Sequence, residues 1–393
     1  MTDWNSKLSK IVSEIKPSGI REFFDIVAGR ADCISLGVGE PDFVSPQVVI
    51  DHAIHALREG YTHYTGNSGL PSLRKAIAEY LNHEYGLSYD PATEILITVG
   101  VSQGVDLAFR ALLNLGDSVL YSEPCYVSYD PMIRLAGGIP QKFEARAENG
   151  FSVTASDIET ALTSAPKGMK SKAIFLNYPS NPTGASIAKA ELEKIAHLAE
   201  QHDQIIISDE IYGELSYESH HVPFSTLPGM QERTLLLGGF SKAFAMTGWR
   251  IAYACGPQAV IKAMTKVHQY SMLCAPTLAQ VAAEAALKYA LKDRDRMKEE
   301  YRARRDLIVK GFNDMGLACH NPQGAFYIFP SIKTTGLTSM QFAKDLLEKQ
   351  NVAVVPGTAF GDSGEGFIRC SYATARKDIE TALDRIGKFI SKL

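Results

Sequence analysis

The stretch Ala173-Ile174-Phe175-Leu176-Asn177 is a continuous apolar run, and residues 189–200 follow it with Leu192, Ile195 and Ala199 recurring at helical spacing. Gln204-Ile205-Ile206-Ile207-Ser208 is a second apolar run. Two short, mostly apolar runs separated by an amphipathic helix predict a βαβ crossover, hence parallel strands buried on both faces. Upstream, Glu94-Ile95-Leu96-Ile97-Thr98-Val99 predicts another strand. Residues 102–115 then predict a helix with Val105, Phe109, Leu112 and Leu113 inward, and Ser118-Val119-Leu120-Tyr121 a strand, a second βαβ unit. Downstream, Thr234-Leu235-Leu236-Leu237 and Ile251-Ala252-Tyr253-Ala254 add two more strands. The expected class is α/β, a mostly parallel sheet flanked by helices.

In open sheets of this kind ligands bind beyond the carboxyl ends of the strands. There the sequence places Asn181 after the first run, Asp209 and Tyr212 after Ser208, Ser241 and Lys242 after Leu237, and Gly100-Val101-Ser102-Gln103-Gly104 after Val99. The last of these opens a helix, so its amides form an anion site, although glycines also simply permit a tight turn. No G-x-G-x-x-G follows a strand and no G-x-x-x-x-G-K-[ST] is present, so dinucleotide and P-loop readings have no support. Pro179-Ser180-Asn181-Pro182-Thr183-Gly184 is a loop whose prolines stiffen the backbone around Asn181.

Taken singly, each residue has an ordinary reading: lysines solvate surfaces, and an Asp-Glu pair after a strand often caps a helix. Lys242, however, lies between Leu235-Leu236-Leu237 and the small, weakly polar stretch 243–249, followed by Arg250. A lysine among such neighbours is one whose amine shifts toward the neutral nucleophile. An amine, a buried carboxylate (Asp209), a phenol (Tyr212) and a phosphate-binding arginine (Arg250) are together what pyridoxal 5′-phosphate requires. The lysine forms a Schiff base, the carboxylate keeps the pyridine nitrogen protonated, and the guanidinium holds the phosphate. Tyr126, after Glu123-Pro124-Cys125, is a candidate to stack on the ring or a plain packing residue.

The chain has 393 residues, 45% of them hydrophobic and 21% charged, enough for two cores. A net charge of −4 leaves no basic footprint for nucleic acid. No apolar run approaches the ~20 residues of a membrane span, and Met1-Thr2-Asp3-Trp4-Asn5-Ser6-Lys7 lacks a signal-peptide core. A cytoplasmic location is expected. Cys33, Cys125, Cys255, Cys274, Cys319 and Cys370 show no metal or disulfide spacing, so free thiols and no metal are expected.

Over nearly its whole length the chain resembles the class I/II aminotransferases, the fold-type I pyridoxal-phosphate enzymes. It is most similar to the bacterial aromatic amino acid and N-acetyl-L,L-diaminopimelate aminotransferases. The resemblance rests on the sites above, on Ser35-Leu36-Gly37-Val38-Gly39-Glu40-Pro41-Asp42-Phe43, on Tyr64-Thr65-Gly66-Asn67-Ser68-Gly69, on residues 324–330 and on residues 364–369. It implies a large cofactor domain over residues 45–289 and a smaller α+β domain from residues 1–44 and 290–393. In the latter, residues 325–329 would be a strand and 339–349 a helix, with a long helix carrying Met297, Tyr301, Arg305 and Ile308 as the link.

The roles it implies are these. Lys242 is the Schiff-base lysine and the base that moves the substrate α-proton; Asp209 holds the ring nitrogen, Tyr212 and Asn181 the phenolic oxygen, and Tyr126 stacks on the ring. Ser102, Gln103, Ser241 and Arg250 hold the phosphate, joined by Tyr64 of a neighbouring subunit, which implies a homodimer with shared active sites and ping-pong kinetics. Arg369 binds the substrate α-carboxylate, with Gly39 and Asn181 closing over it. Gly239 departs from the pattern, since many relatives carry a phosphate-binding hydroxyl three positions before the lysine; Ser241 or a water would compensate.

Substrate choice is left more open. Ser102 stands where some aspartate and prephenate aminotransferases place a lysine for a distal carboxylate. Residues 266–270, Ile15, Ile20, Phe23 and Tyr327 either line an apolar pocket for an aromatic donor or are core and interface packing. The expected reaction moves the amino group of an amino acid, aromatic preferred, to a 2-oxo acid such as 2-oxoglutarate. The alternatives are an N-acetyl-L,L-diaminopimelate aminotransferase, a carbon-sulfur lyase (disfavoured by Tyr212, where such relatives more often carry histidine), and a cofactor-sensing regulator, which would need a DNA-binding domain.

Overall fold

The structure, a computed structural model, describes residues 2–17, 30, 32–164 and 171–393. In chain order its strands are β1 (Ile34–Ser35), β2 (Ile95–Thr98), β3 (Ser118–Glu123), β4 (Ile139–Glu144), β5 (Ser171–Asn177), β6 (Ile205–Asp209), β7 (Thr234–Gly239), β8 (Ala252–Cys255), β9 (Tyr327–Ile328), β10 (Val352–Ala353), β11 (Val355–Pro356) and β12 (Ile368–Ser371). Seven of them form the central sheet in the order β2-β8-β7-β6-β5-β3-β4. All run parallel except β8, which is antiparallel to both of its neighbours.

The βαβ unit expected at β5 and β6 is present, with Ala173 paired to Ile205 and Asn177 to Asp209. The one expected at β2 and β3 needs correction. These strands point the same way, but β8, β7, β6 and β5 lie between them. The edge of β2 is taken by β8, which comes from much later in the chain. The intervening helix Gly100–Leu112 therefore crosses the sheet, packing on β7, β8 and the helix Gln258–Ser271. β4 has no continuous apolar run to announce it: it is an edge strand, half exposed, with Pro140 inside it.

Both faces of the sheet are covered, as continuous apolar strands require. Alternate residues divide between layers. Ala173, Phe175, Ile207, Leu235 and Leu237 pack with Val105, Phe109, Ile261 and Met264, whereas Ile174, Leu176 and Ile206 pack with Leu192 and Ile195 of the helix Lys189–Gln201.

Beyond the sheet, the long helix Leu291–Asp314 buries Met297, Tyr301, Arg305, Ile308 and Phe312. It shares a core with the helices Ser339–Gln350 and Arg376–Ile390 and with β12 and β9 of the antiparallel trio β11-β12-β9. A capping box between Thr338 and Gln341 starts the first of these helices. β1 pairs in parallel with β10, which draws Leu36 into this second core; Tyr212, Leu215 and Tyr217, from the loop after β6, enter it as well. That shared packing brings β12 up to the carboxyl ends of β6 and β7. The strand expected over residues 325–329 is confined to β9, because Ala325 takes a left-handed backbone with φ 59°. Among the described residues, no helix is long and apolar enough to cross a membrane and no side-chain group is arranged to hold a metal.

Candidate active site

A cavity of about 290 Å³ opens at the carboxyl ends of β5, β6 and β7. It brings together every site residue named from sequence except Gln103 and Tyr64: Gly39, Ser102, Tyr126, Asn181, Asp209, Tyr212, Ser241, Lys242, Arg250 and Arg369 all line it.

Its floor is Asp209, the last residue of β6. The carboxylate accepts a 2.8 Å bond from the Tyr129 hydroxyl at Oδ2 and a 3.2 Å bond from the Ile211 amide at Oδ1. Burial pushes its pKa up to about 6, against the hydrogen bonds that favour the charged form. It makes no salt bridge among the described residues, so a cationic partner would relieve its burial. Tyr129 was not legible in the sequence; only its place three residues after Tyr126 hints at it, and the two rings meet edge to face. Asn177, the last residue of β5, ties the neighbouring loop down by donating to the Asp209 carbonyl and accepting from the Asn181 amide.

Lys242 points into the same space, its Nζ 2.8 Å from the Gly39 carbonyl. Burial pulls its pKa down to about 8; Glu40 opposes the shift, and Arg369 and Arg250 add to it. A substantial neutral fraction near physiological pH is what a nucleophile and proton carrier needs.

One end of the cavity is built for an anion. The helix Gly100–Leu112 begins there with free backbone amides, and Ser102 and Ser241 add hydroxyls. Arg250, in a left-handed backbone with φ 54°, lays its guanidinium over Gly100. A Cβ on Gly100, itself at φ 75°, would come 2.5 Å from Nη2, so glycine serves both the turn and the close approach. The Gln103 side chain takes no part. Its Oε1 accepts from the Val99 amide and its Nε2 lies 3.1 Å from His268 Nδ1, and its backbone amide, four residues after the N-cap Val99, closes the first turn of the helix. A side chain at Gly239 would meet Ala252 Cβ at 2.8 Å and Ile211 Cδ1 at 3.1 Å, so packing of β7 on β8 closes that position; Ser241 and Thr247 line the cavity instead.

The opposite wall carries Arg369, on β12 and 2% exposed. Its Nη1 donates to Asn181 Oδ1 at 3.0 Å and its Nη2 to the Gly37 carbonyl at 2.5 Å, while Nε is buried without a partner among the described residues. The guanidinium lies over the rings of Tyr327 and Phe360, 4.5 and 4.8 Å from their centroids. Among the described residues no carboxylate pairs with it; a buried cation so placed is costly, and an anionic ligand offsets that cost. Tyr327 also bonds Tyr212 through its hydroxyl at 2.8 Å, and a Cβ at Gly39 would strike that hydroxyl at 2.4 Å.

Of the residues considered for an apolar pocket, only Tyr327 lines this cavity. His268 is buried against Gln103 and Tyr270 is 85% exposed. Ile15 borders a neighbouring cavity that shares Tyr126 with this one, and Ile20 and Phe23 lie outside the described residues. Tyr64 is 83% exposed and outside the cavity.

A carboxylate lacking a cation, an amine poised near neutrality, an anion cup and a buried arginine lacking an acid fit pyridoxal phosphate and an amino acid carboxylate. Comparison with known proteins agrees. Residues 31–386 match the family Aminotransferase class I and II. A putative aminotransferase of Bacillus subtilis (strain 168), YugH, is 51% identical over 98% of this chain and 99% of its own length. An aspartate aminotransferase of Pyrococcus abyssi is 45% identical over 96% of each chain. The crystal structure of an aromatic aminotransferase from Pyrococcus horikoshii superposes with a TM-score of 0.89 at 42% identity, covering 95% of this chain and 99% of that one. The chain thus belongs to the class I and II aminotransferases, pyridoxal-phosphate-dependent enzymes that act on amino acids and 2-oxo acids.

Proposed function

We propose that this aminotransferase takes its amino group from an aromatic amino acid and passes it to 2-oxoglutarate by a ping-pong mechanism. The observation that carries the reading is the charge inventory of the cavity. Among the described residues its cationic side chains are Lys242, Arg250 and Arg369, each already committed, and Val101, Val105, Tyr126, Met132 and Ile211 make much of the remainder apolar. Aspartate would bring a second carboxylate with no cation left to meet it, whereas an aromatic ring needs only apolar and aromatic surface. 2-Oxoglutarate carries its distal carboxylate one carbon farther out than aspartate does, toward water at the mouth.

Bound in the cavity, the cofactor supplies an electron sink for charge developing at the substrate α-carbon. Asp209 keeps the ring nitrogen cationic, and Tyr129 keeps Asp209 ionised. Tyr212 and Asn181 hold the phenolic oxygen, Tyr126 covers the ring, and Ser102, Ser241, Arg250 and the first amides of the helix Gly100–Leu112 hold the phosphate. Arg369 orients the α-carboxylate, with Gly39 and Asn181 closing over it, and Lys242 Nζ moves the α-proton.

We also propose two domains, residues 45–289 and residues 1–44 with 290–393, a cytoplasmic location, and a homodimer in which Tyr64 reaches the phosphate of the other subunit. Thr277 bonds the His63 carbonyl and Asn67 the Leu273 carbonyl, so the exposed Tyr61, Tyr64, Met272 and Leu273 lie on adjoining segments of one surface. An apolar surface of this kind suits burial against a second copy. The donor is tested by steady-state kinetics with tyrosine, aspartate and N-acetyl-L,L-diaminopimelate, each with 2-oxoglutarate. Tyrosine should exceed aspartate in kcat/KM by at least about tenfold; aspartate or the diaminopimelate derivative as the better donor would overturn the assignment.

A further inference from the structure

Ala325 is one of few non-glycine residues in a left-handed backbone, and it sits two positions before Tyr327. Its carbonyl is gripped from two sides: the Tyr217 hydroxyl donates to it, and the Tyr372 hydroxyl lies 3.2 Å away. Both tyrosines are buried, and neither lines the cavity. The turn is also held through its backbone. Ala325 N donates to the Leu215 carbonyl, Tyr217 N to the Gln323 carbonyl, and Gln323 N and Gly324 N to the Gly184 carbonyl in the Asn181 loop. Tyr217 is fixed in turn by Arg305, which stacks 4.9 Å from its ring centroid, pairs with both oxygens of Glu218 and reaches the Pro322 carbonyl.

What this grip aims is Tyr327. Its ring forms one face of the Arg369 guanidinium and its hydroxyl bonds Tyr212, while its backbone pairs with Ser371, two residues from Arg369. A left-handed alanine is strained and persists only where its surroundings over-determine it. Here those surroundings are the two tyrosines on its carbonyl together with the backbone bonds to Leu215 and Gly184.

We propose that Tyr217 and Tyr372 are positioning residues for substrate binding: by clamping the Ala325 carbonyl they hold the turn that presents Tyr327 to Arg369, and so set the carboxylate site from outside the cavity. The inference rests on Arg369 as the carboxylate site. It distinguishes these tyrosines from ordinary core phenols because their effect falls on KM for every carboxylate substrate, donor and acceptor alike, and not on proton transfer at Lys242.

The test is kinetic, on the cofactor-loaded enzyme, with amide exchange on the protein freed of cofactor as a second readout. Tyr217→Phe should raise KM for the amino acid and for the 2-oxo acid together by about fivefold with kcat changed less than about twofold. Amide exchange at residues 325–328 should speed up. Ala325→Gly separates positioning from stability: glycine takes the left-handed turn without strain and keeps the carbonyl that the tyrosines clamp, so alone it should leave both KM values at wild type, and added to Tyr217→Phe it should bring the raised KM values back toward wild type. A Tyr217→Phe enzyme with wild-type KM values, or one whose raised KM values Ala325→Gly does not lower, overturns the proposal, whatever its Tm. Should Tyr217→Phe not fold, Tyr372→Phe carries the same expectation. Arg369→Ala is the control: if its KM values stay at wild type, the carboxylate assignment has failed, and if they rise while those of the clamp variants do not, this inference alone has failed.

Discussion

The two walls of the cavity are held in place by different means. On the sheet side, Asn177 and Asp209 occupy paired positions on β5 and β6, and Lys242 follows directly from β7. Parallel ladders several residues long place them, and a side chain such as Tyr129 only adjusts the result. On the other side, β9 is two residues long and β12 four. There Arg369 and Tyr327 are set mostly by side-chain bonds: to Asn181, to Gly37 and to Tyr212. A wall built on backbone ladders resists single side-chain changes except at the reacting group itself, whereas a wall built on side-chain bonds yields to them one at a time.

The largest expected effect lies on the sheet wall. Lys242→Ala should lower kcat by about 10⁴-fold while leaving the far-ultraviolet circular dichroism and Tm close to wild type; retained turnover would remove the lysine from the chemistry. On the opposite wall Arg369→Ala should act on binding, raising KM by about 10²-fold with a smaller change in kcat. An unchanged KM would mean that the buried guanidinium serves the fold and not the substrate.

The next comparison is one of pH. Burial holds the Lys242 ammonium down to about 8, so its folded pKa lies below that of a free lysine. The neutral amine is the nucleophile. Cofactor loading of the apoprotein should therefore accelerate as pH rises, by about tenfold from pH 7 to a plateau above pH 8. A rate that is flat from pH 6 to 9 in stopped-flow absorbance would contradict a depressed amine. The smallest effect should come from Tyr129→Phe. Loss of its bond to Asp209 makes the ionised carboxylate harder to maintain and should weaken cofactor affinity by about fivefold, or ~1 kcal/mol, in equilibrium titration.

The same contrast explains what could be read from the chain. The strands around Ile174 and Ile206 are continuous apolar runs because both faces are covered, so they and the residues at their ends were legible. Strand order was not, because β2 finds its partner in β8, a pairing that local periodicity does not encode. Gln103 was placed at the anion site by position alone, and its side chain instead satisfies the Val99 amide and His268. Tyr129 sits on the short helix Tyr129–Leu135, whose seven residues are too few to display a periodic face. The clamp on Ala325 joins residues more than a hundred positions apart on one side and 47 on the other. Nothing in the local sequence marks such a bond.

The central claim is that Lys242 carries the cofactor at the carboxyl end of the sheet. Borohydride reduction of the cofactor-loaded protein, followed by peptide mass mapping, tests it most directly. The account predicts one reduced pyridoxyl group per chain, on Lys242. Labelling of another lysine, or no label on a protein that still transaminates, would contradict it.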